Sequence, residues 1–339
     1  MTPREIILAT IRHEETVRVP YTFSAEPTVL DRLDRYYGAA NWRSRLTQFM
    51  TQPLHVDTRH ERPLDDVHAR DAFGSLWRMD RRPWHLETPA LSEPSLAGWD
   101  PPSVSFFVDP IEREIDSAVE RIGTDPEVFQ VIGMGWGIFE QTWRIRGFEN
   151  ALVDALAEPE FYRDLVELVT ERYLAMVRAC EPVPADAFFF GDDWGDQRGI
   201  ILGPDRWREL IKPAWKRVYD EVHAQGKIVM SHSCGSVADI MEDLIEIGLD
   251  VLESVQPEPA GMNPYSLKKR FGDRITFWGG LGSQSTIPFG TPEEVREEIR
   301  RLRTEMGRSG GYILAPAKPL QPETPTENAV AIAEAFAEE

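Results

Sequence analysis

Cysteine is scarce: Cys180 and Cys234 are the only two in 339 residues. Two thiols make no disulfide framework, and a reducing, cytoplasmic setting is the expectation. Basic residues are in short supply as well. Lys and Arg number 37 against 57 Asp and Glu, a formal charge of −20, so the general field repels nucleic-acid phosphates and anionic lipid surfaces. Neither is an expected partner. No apolar run approaches the roughly 20 residues that span a bilayer. The opening MTPREIILATIRHEE mixes charge into its apolar positions from the fourth residue, unlike a signal peptide. No G-x-G-x-x-G follows an early strand, which removes the fingerprint of a dinucleotide-binding sheet. Internal repeats and low-complexity tracts are also absent.

What is present is an ordinary folding composition, 42% hydrophobic and 28% charged, with a rhythm of short apolar runs alternating with amphipathic helices. Residues 3–13 have helical spacing, 17–23 make a candidate first strand, and 28–49 are expected to be helical. A small hairpin is expected at 66–80, around Gly74, and an irregular Pro-, Ser- and Trp-rich arm at 83–110. Then come candidate strands at 128–132, 187–190, 227–230, 251–255, 275–278 and 311–314. Helices are expected at 138–158, 159–178, 204–225, 237–247, 264–271, 292–306 and 326–337. Several begin with Pro and stop before Gly, the asymmetry of helix ends.

Repeated strand–helix units imply a parallel sheet covered by helices, either closed or open and doubly wound. We read a single (β/α)8 TIM barrel over 1–339, in which 1–110 supplies helices, first strand, hairpin and arm, and 111–339 the regular units. In such a barrel the working groups follow the strands at one mouth. That rule selects Asp192, Asp193, Trp194 and Gln197; His232 and Cys234; Glu253 and Gln256; Gly279, Gly280 and Gly282; Lys318 and Gln321; and Trp136. His232 and Cys234 sit two apart on an extended strand end, so imidazole and thiolate point the same way and could share a soft metal such as zinc. A hydrogen-bonded histidine beside a small buried thiol is an equally good reading of that pair. Asp193 or Glu253 would complete a metal shell or act in acid–base chemistry. Alternation along the strand turns one of Asp192 and Asp193 inward; Asp192 is read as a capping aspartate. Trp136 and Trp194 are read as stacking surfaces for a flat ligand, and Gln197, Gln256, Gly280, Lys318 and Gln321 as substrate contacts.

The runs FFFGDDWGDQRGIILGP, KIVMSHSCGSVADIMEDLIEIGLDVLESVQP, RITFWGGLGSQSTIPFGTPEEVREEI and GGYILAP with PLQPETPTEN resemble the uroporphyrinogen decarboxylase superfamily over roughly the last two-thirds of the chain. The resemblance implies a β/α barrel, often dimeric. It also implies one of two activities: decarboxylation, or zinc-dependent methyl transfer between corrinoid proteins and thiols or other acceptors. True decarboxylases carry an R-Q-A-G-R motif and a late G-H-G. Here the matching segments read Tyr21-Thr22-Phe23-Ser24-Ala25-Glu26 and Ala315-Pro316-Ala317-Lys318-Pro319. Without the arginine clamp, a polycarboxylate meets an acidic protein. The methyltransferase branch implies His232 and Cys234 as zinc ligands and a late Cys, which falls near Ala317. The expectation is therefore methyl transfer with zinc and a corrinoid. A metal-free decarboxylase or tetrapyrrole-binding enzyme is the alternative, and a non-catalytic ligand-binding barrel the third reading.

Overall fold

The computed structural model describes residues 1–338. Seven parallel strands form one sheet in the order β1 (Met50–Val56), β6 (Phe129–Trp136), β7 (Ala187–Gly191), β8 (Ile228–His232), β9 (Val251–Val255), β10 (Thr276–Leu281) and β11 (Tyr312–Pro316). Between β1 and β6 in the chain lie β2 (Arg62–Pro63), β3 (His68–Arg70), β4 (Leu76–Arg78) and β5 (His85–Thr88), which form a separate antiparallel sheet. Residues 20–22 occupy the eighth barrel position. Thr22 N–H donates to the Leu314 carbonyl and Leu314 N–H to that of Pro20, both at 2.9 Å. On its other side the Tyr21 side chain meets the stretch just ahead of β1: Thr47 N–H donates to the Tyr21 hydroxyl at 2.7 Å, and Tyr21 packs edge-on against Phe49. The result is a β/α barrel with helices outside, as the periodicity predicts.

Burial on both faces explains the near-continuous apolar strands. Along β7, Phe188 and Phe190 face outward, and Phe190 packs on Trp215 and Tyr219 of the helix Lys212–Ala224. Phe189, between them, points into the barrel toward Trp278. Helix starts follow local chemistry. Thr2 with Glu5 and Thr291 with Glu294 each form a reciprocal capping box ahead of a Pro-led first turn.

The departures from expectation fall mostly before residue 130. The helix expected at 28–49 ends at Tyr37 (Pro27–Tyr37), with a short turn Ala40–Arg45 after it. The first long barrel strand is then β1, whose MTQPLHV lacks a clean apolar pattern. It is half-exposed because it borders the open mouth. The hairpin at 66–80 is there as β3 and β4, but inside a four-stranded sheet. The arm ends early, since Val104–Thr124 is a 21-residue helix that tolerates Pro110 in its second turn. The helix expected at 138–158 is two, Ile138–Arg146 and Phe148–Ala157, broken at Gly147, whose φ of 87° suits glycine. None of the helices among the described residues is long and apolar enough to cross a membrane.

Candidate functional site

Register brings the reactive groups together. Gly191 pairs with His232, and His232 with Glu253, so the ends of β7, β8 and β9 form one row at the mouth. The row continues past the strands through Asp192 N–H to the His232 carbonyl at 3.0 Å and Ser233 N–H to the Glu253 carbonyl at 2.7 Å. With side chains alternating, Asp193 follows Phe189 and Gly191 inward while Asp192 follows Phe190 outward.

Inside the mouth, His232 Nε2 lies 3.2 Å from Cys234 Sγ and 3.2 Å from Asp193 Oδ1. Its Nδ1 contacts Glu253 Oε2 closely. The Cys234 N–H donates to Asp193 Oδ1 at 2.7 Å, and Gln256 Nε2 lies 3.7 Å from the sulfur while its Oε1 accepts from Gly235 N–H. Burial alone would lower the basicity of His232, but the charge of Glu253 and bonds to Asp193, Cys234 and Glu253 outweigh it and hold its pKa well above the ordinary value. For Asp193, burial pushes the pKa up, yet His232, the Cys234 N–H and Lys318 together bring it below the usual carboxylate range.

Among the described residues, Asp193, His232 and Cys234 form a group whose ligand atoms all lie within 4.8 Å of one another. Tetrahedral zinc with bonds of about 2.0 Å to nitrogen and 2.3 Å to sulfur sets its ligands roughly 3.5 Å apart, so the observed spacings fit that ion. Glu253 occupies the other imidazole nitrogen, the position of a residue that orients a ligating histidine. Ala317 is fully buried and contributes only its N–H, to the Leu281 carbonyl.

Asp192 has a structural task. Its carboxylate accepts from Phe139 N–H, Glu140 N–H, Trp194 Nε1 and Trp215 Nε1 at 2.8–3.0 Å, capping the helix Ile138–Arg146 from the neighbouring strand end. Burial pushes it up to about 6, opposed by those four donors.

The mouth cavity holds about 360 Å³ and is lined by Gln52, His55, Trp136, Glu140, Phe189, Asp193 and His232, among others. Glu140 was missed in the sequence because it sits in a helical turn beyond Trp136 with no motif to mark it. Burial first, then the charges of Asp193 and Asp192, hold its carboxyl well above the usual range. Beside this cavity, sharing Trp136, is an aromatic cleft of about 620 Å³ under the four-stranded sheet.

Several expected substrate contacts lie elsewhere. Trp194 is 1% exposed and packs in the helix layer against Trp207 and Trp215, so its indole is closed to a ligand. Gly280 is buried against Tyr312 and Leu302 and serves strand–helix packing. Gln197 is exposed and, among the described residues, only its backbone carbonyl is engaged, by Ala260 N–H, and Gln321 bonds locally to the Pro319 carbonyl. Lys318 is exposed, with its charge felt at Asp193. Trp136 and Gln256 reach the mouth or its cluster.

Two close glycines hold the cluster's loops. A Cβ on Gly195 would come 2.5 Å from the Ser236 carbonyl oxygen, and one on Gly235, at φ 75°, 2.5 Å from Gly195. The loops after β7 and β8 touch backbone to backbone there.

The fold and site define the class of protein: a β/α barrel with an imidazole, a thiol and a carboxylate gathered at the C-terminal ends of its strands. The chain belongs to the uroporphyrinogen decarboxylase (URO-D) family, whose pattern it matches over residues 105–339. The family's members are enzymes. Uroporphyrinogen decarboxylase of Thermus thermophilus is 27% identical over 172 residues, 50% of this chain and 47% of that protein. The enzyme of that name from Coxiella burnetii is 23% identical over 280 residues, 80% of this chain and 71% of that one. The match thus spans about half the length of the Thermus relative. A methyltransferase from Methanosarcina mazei superposes with a TM-score of 0.72 at 19% identity, covering 100% of this chain and 99% of that one, a likeness of fold.

Proposed function

We propose that this protein transfers a methyl group between a corrinoid and a small-molecule donor or acceptor, with one zinc ion held by His232, Cys234 and Asp193. The observation that carries the reading is the donor set: nitrogen, sulfur and carboxylate oxygen within 4.8 Å, at the ends of the adjacent strands β7 and β8. Here Asp193 takes the part that the late cysteine has in the methyltransferase branch. When bound, zinc supplies Lewis acidity that favours the thiolate form of an acceptor at neutral pH. The protein's own groups do the rest. Glu253 holds His232 so that Nε2 faces the cluster, and the Cys234 N–H and His232 fix Asp193. Glu140 stands at the cavity wall, where burial and the neighbouring acidic charges favour its protonated form, so that it can give a proton to a leaving group. A corrinoid, free or on a carrier protein, would approach the open mouth.

Decarboxylation has less support. The mouth presents Asp193 and Glu253 and lacks an arginine clamp among its lining residues, so a polycarboxylate substrate would face like charge. The test is methylcobalamin demethylation by the zinc-loaded protein with a panel of thiols, followed by the corrinoid spectrum. Turnover that falls about 100-fold in Cys234→Ala supports methyl transfer. Fully zinc-loaded protein that is inert with every thiol and binds uroporphyrinogen instead overturns it.

A further inference from the structure

The cleft beside the mouth has its own chemistry. Four of the ten tryptophans, Trp77, Trp84, Trp136 and Trp143, line it. Trp143 stands edge-to-face with both Trp77 and Trp136, at 6.2 and 5.7 Å between ring centroids. Such an arrangement leaves flat walls that pair with a further aromatic ring, and about 620 Å³ is ample for a small ligand.

Charge narrows the ligand. The Arg144 guanidinium lies over Trp77 and Trp136 at 4.1 and 4.7 Å, and that of Arg59 over Trp84 and Trp136 at 5.4 and 5.9 Å. Ring faces already covered by two cations repel a quaternary ammonium, the usual guest of an aromatic box. Arg144 also has unmet needs. It is fully buried, and Nη2 donates to Glu61 at 2.7 Å with Asp71 at 3.8 Å, but Nε and Nη1 have no acceptor. Buried N–H groups of a cation without acceptors are costly, and because Arg144 lines the cleft, an anionic oxygen entering it would offer the guanidinium a further acceptor.

We propose that the cleft binds a planar aromatic ring bearing a carboxylate, with the ring among the indoles and the carboxylate on Arg144. Because Trp136 walls both spaces, the far edge of the ring lies toward the Asp193–His232–Cys234 cluster. As a substrate class this rests on the methyl-transfer reading; as a binding site it does not.

The experiment is calorimetric titration of the purified full chain, without thiol or corrinoid, using benzoate, 2-naphthoate, cyclohexanecarboxylate and benzyltrimethylammonium. Benzoate or 2-naphthoate should bind, with cyclohexanecarboxylate about tenfold weaker and the ammonium weaker still. Trp84→Ala, on the half-exposed β5 side, should weaken 2-naphthoate about tenfold with an unchanged melting temperature. Arg144→Lys, which keeps the charge and loses the fork, should abolish the preference for carboxylate over the matching amide. Should Arg144→Lys fail to fold, the naphthoate-to-ammonium ratio in the wild type and Trp84→Ala still decide. Absence of binding by both aromatic carboxylates at about 5 mM, equal binding to Trp84→Ala, or tighter binding of the ammonium would overturn the proposal. Failure here with methylcobalamin turnover intact removes the cleft alone, and the converse removes the chemistry alone.

Discussion

Cys234 donates its backbone N–H to Asp193 Oδ1 at 2.7 Å, and the same oxygen lies 3.2 Å from His232 Nε2. One carboxylate thereby fixes the chain direction at the thiol and the tilt of the imidazole. Removing it should disturb both neighbours.

Metal content is the first expected outcome. Protein prepared without chelator should carry about one zinc per chain, and His232→Ala, Cys234→Ala and Asp193→Ala should each weaken zinc at least about tenfold, with Glu253→Gln weakening it less. Competition with a chromophoric chelator measures this. Retention of wild-type affinity by Asp193→Ala would return the third ligand position to some other group.

Thiol reactivity should divide sharply. Burial pushes Cys180 up to about 12 and leaves it no solvent path, whereas Cys234 is half-exposed at the mouth. A chromogenic disulfide should modify one thiol in native metal-free protein, both in denaturant, and none quickly once zinc is added.

Asp192→Asn tests the cap. An amide replaces one acceptor oxygen with a donor facing N–H groups, so at least one of four bonds is lost and a like-dipole contact appears. Stability should fall by about 2–3 kcal/mol, read from urea midpoints, with zinc affinity nearly unchanged if Asp193 keeps its place.

The pH dependence can be checked away from the metal cluster. His223 Nε2 bonds Asp250 at 2.8 Å, and this bond, against partial burial, raises its pKa above 6.5. A raised basic group contributes stability that is fully present below the unfolded pKa and lost as pH rises through the folded one. His223→Gln should therefore cost most near pH 6 and progressively less toward pH 9. Both groups are over a third exposed, so the cost should stay below about 1 kcal/mol. A constant difference across that range would show that the bond is insensitive to protonation.

Regular α/β units after residue 125 were legible because each strand is buried on both faces and each helix has its own stop signal. The same rule put Asp193, His232 and Glu253 at one mouth, since strand ends must converge there. β1 was not legible: its Gln52 and His55 face the cavity, so the apolar pattern of a barrel strand is interrupted by the residues that make the site. Trp194 misled for the opposite reason, because a tryptophan just past a strand reads as a ligand surface until the Asp192 carboxylate is seen drawing its N–H outward. Glu140 and the four-tryptophan cleft arise from contacts between segments far apart in the chain, which no local pattern encodes.

The bare meeting of Gly195 and Gly235 works as a hinge pin without a spacer: a single added methyl at either glycine would wedge the two loops apart and spread the carboxylate from the thiol. Grasp of the proposed ion would thus be set by two residues that never touch it, and drift at either of them would silence such a centre while every candidate ligand stayed in the sequence.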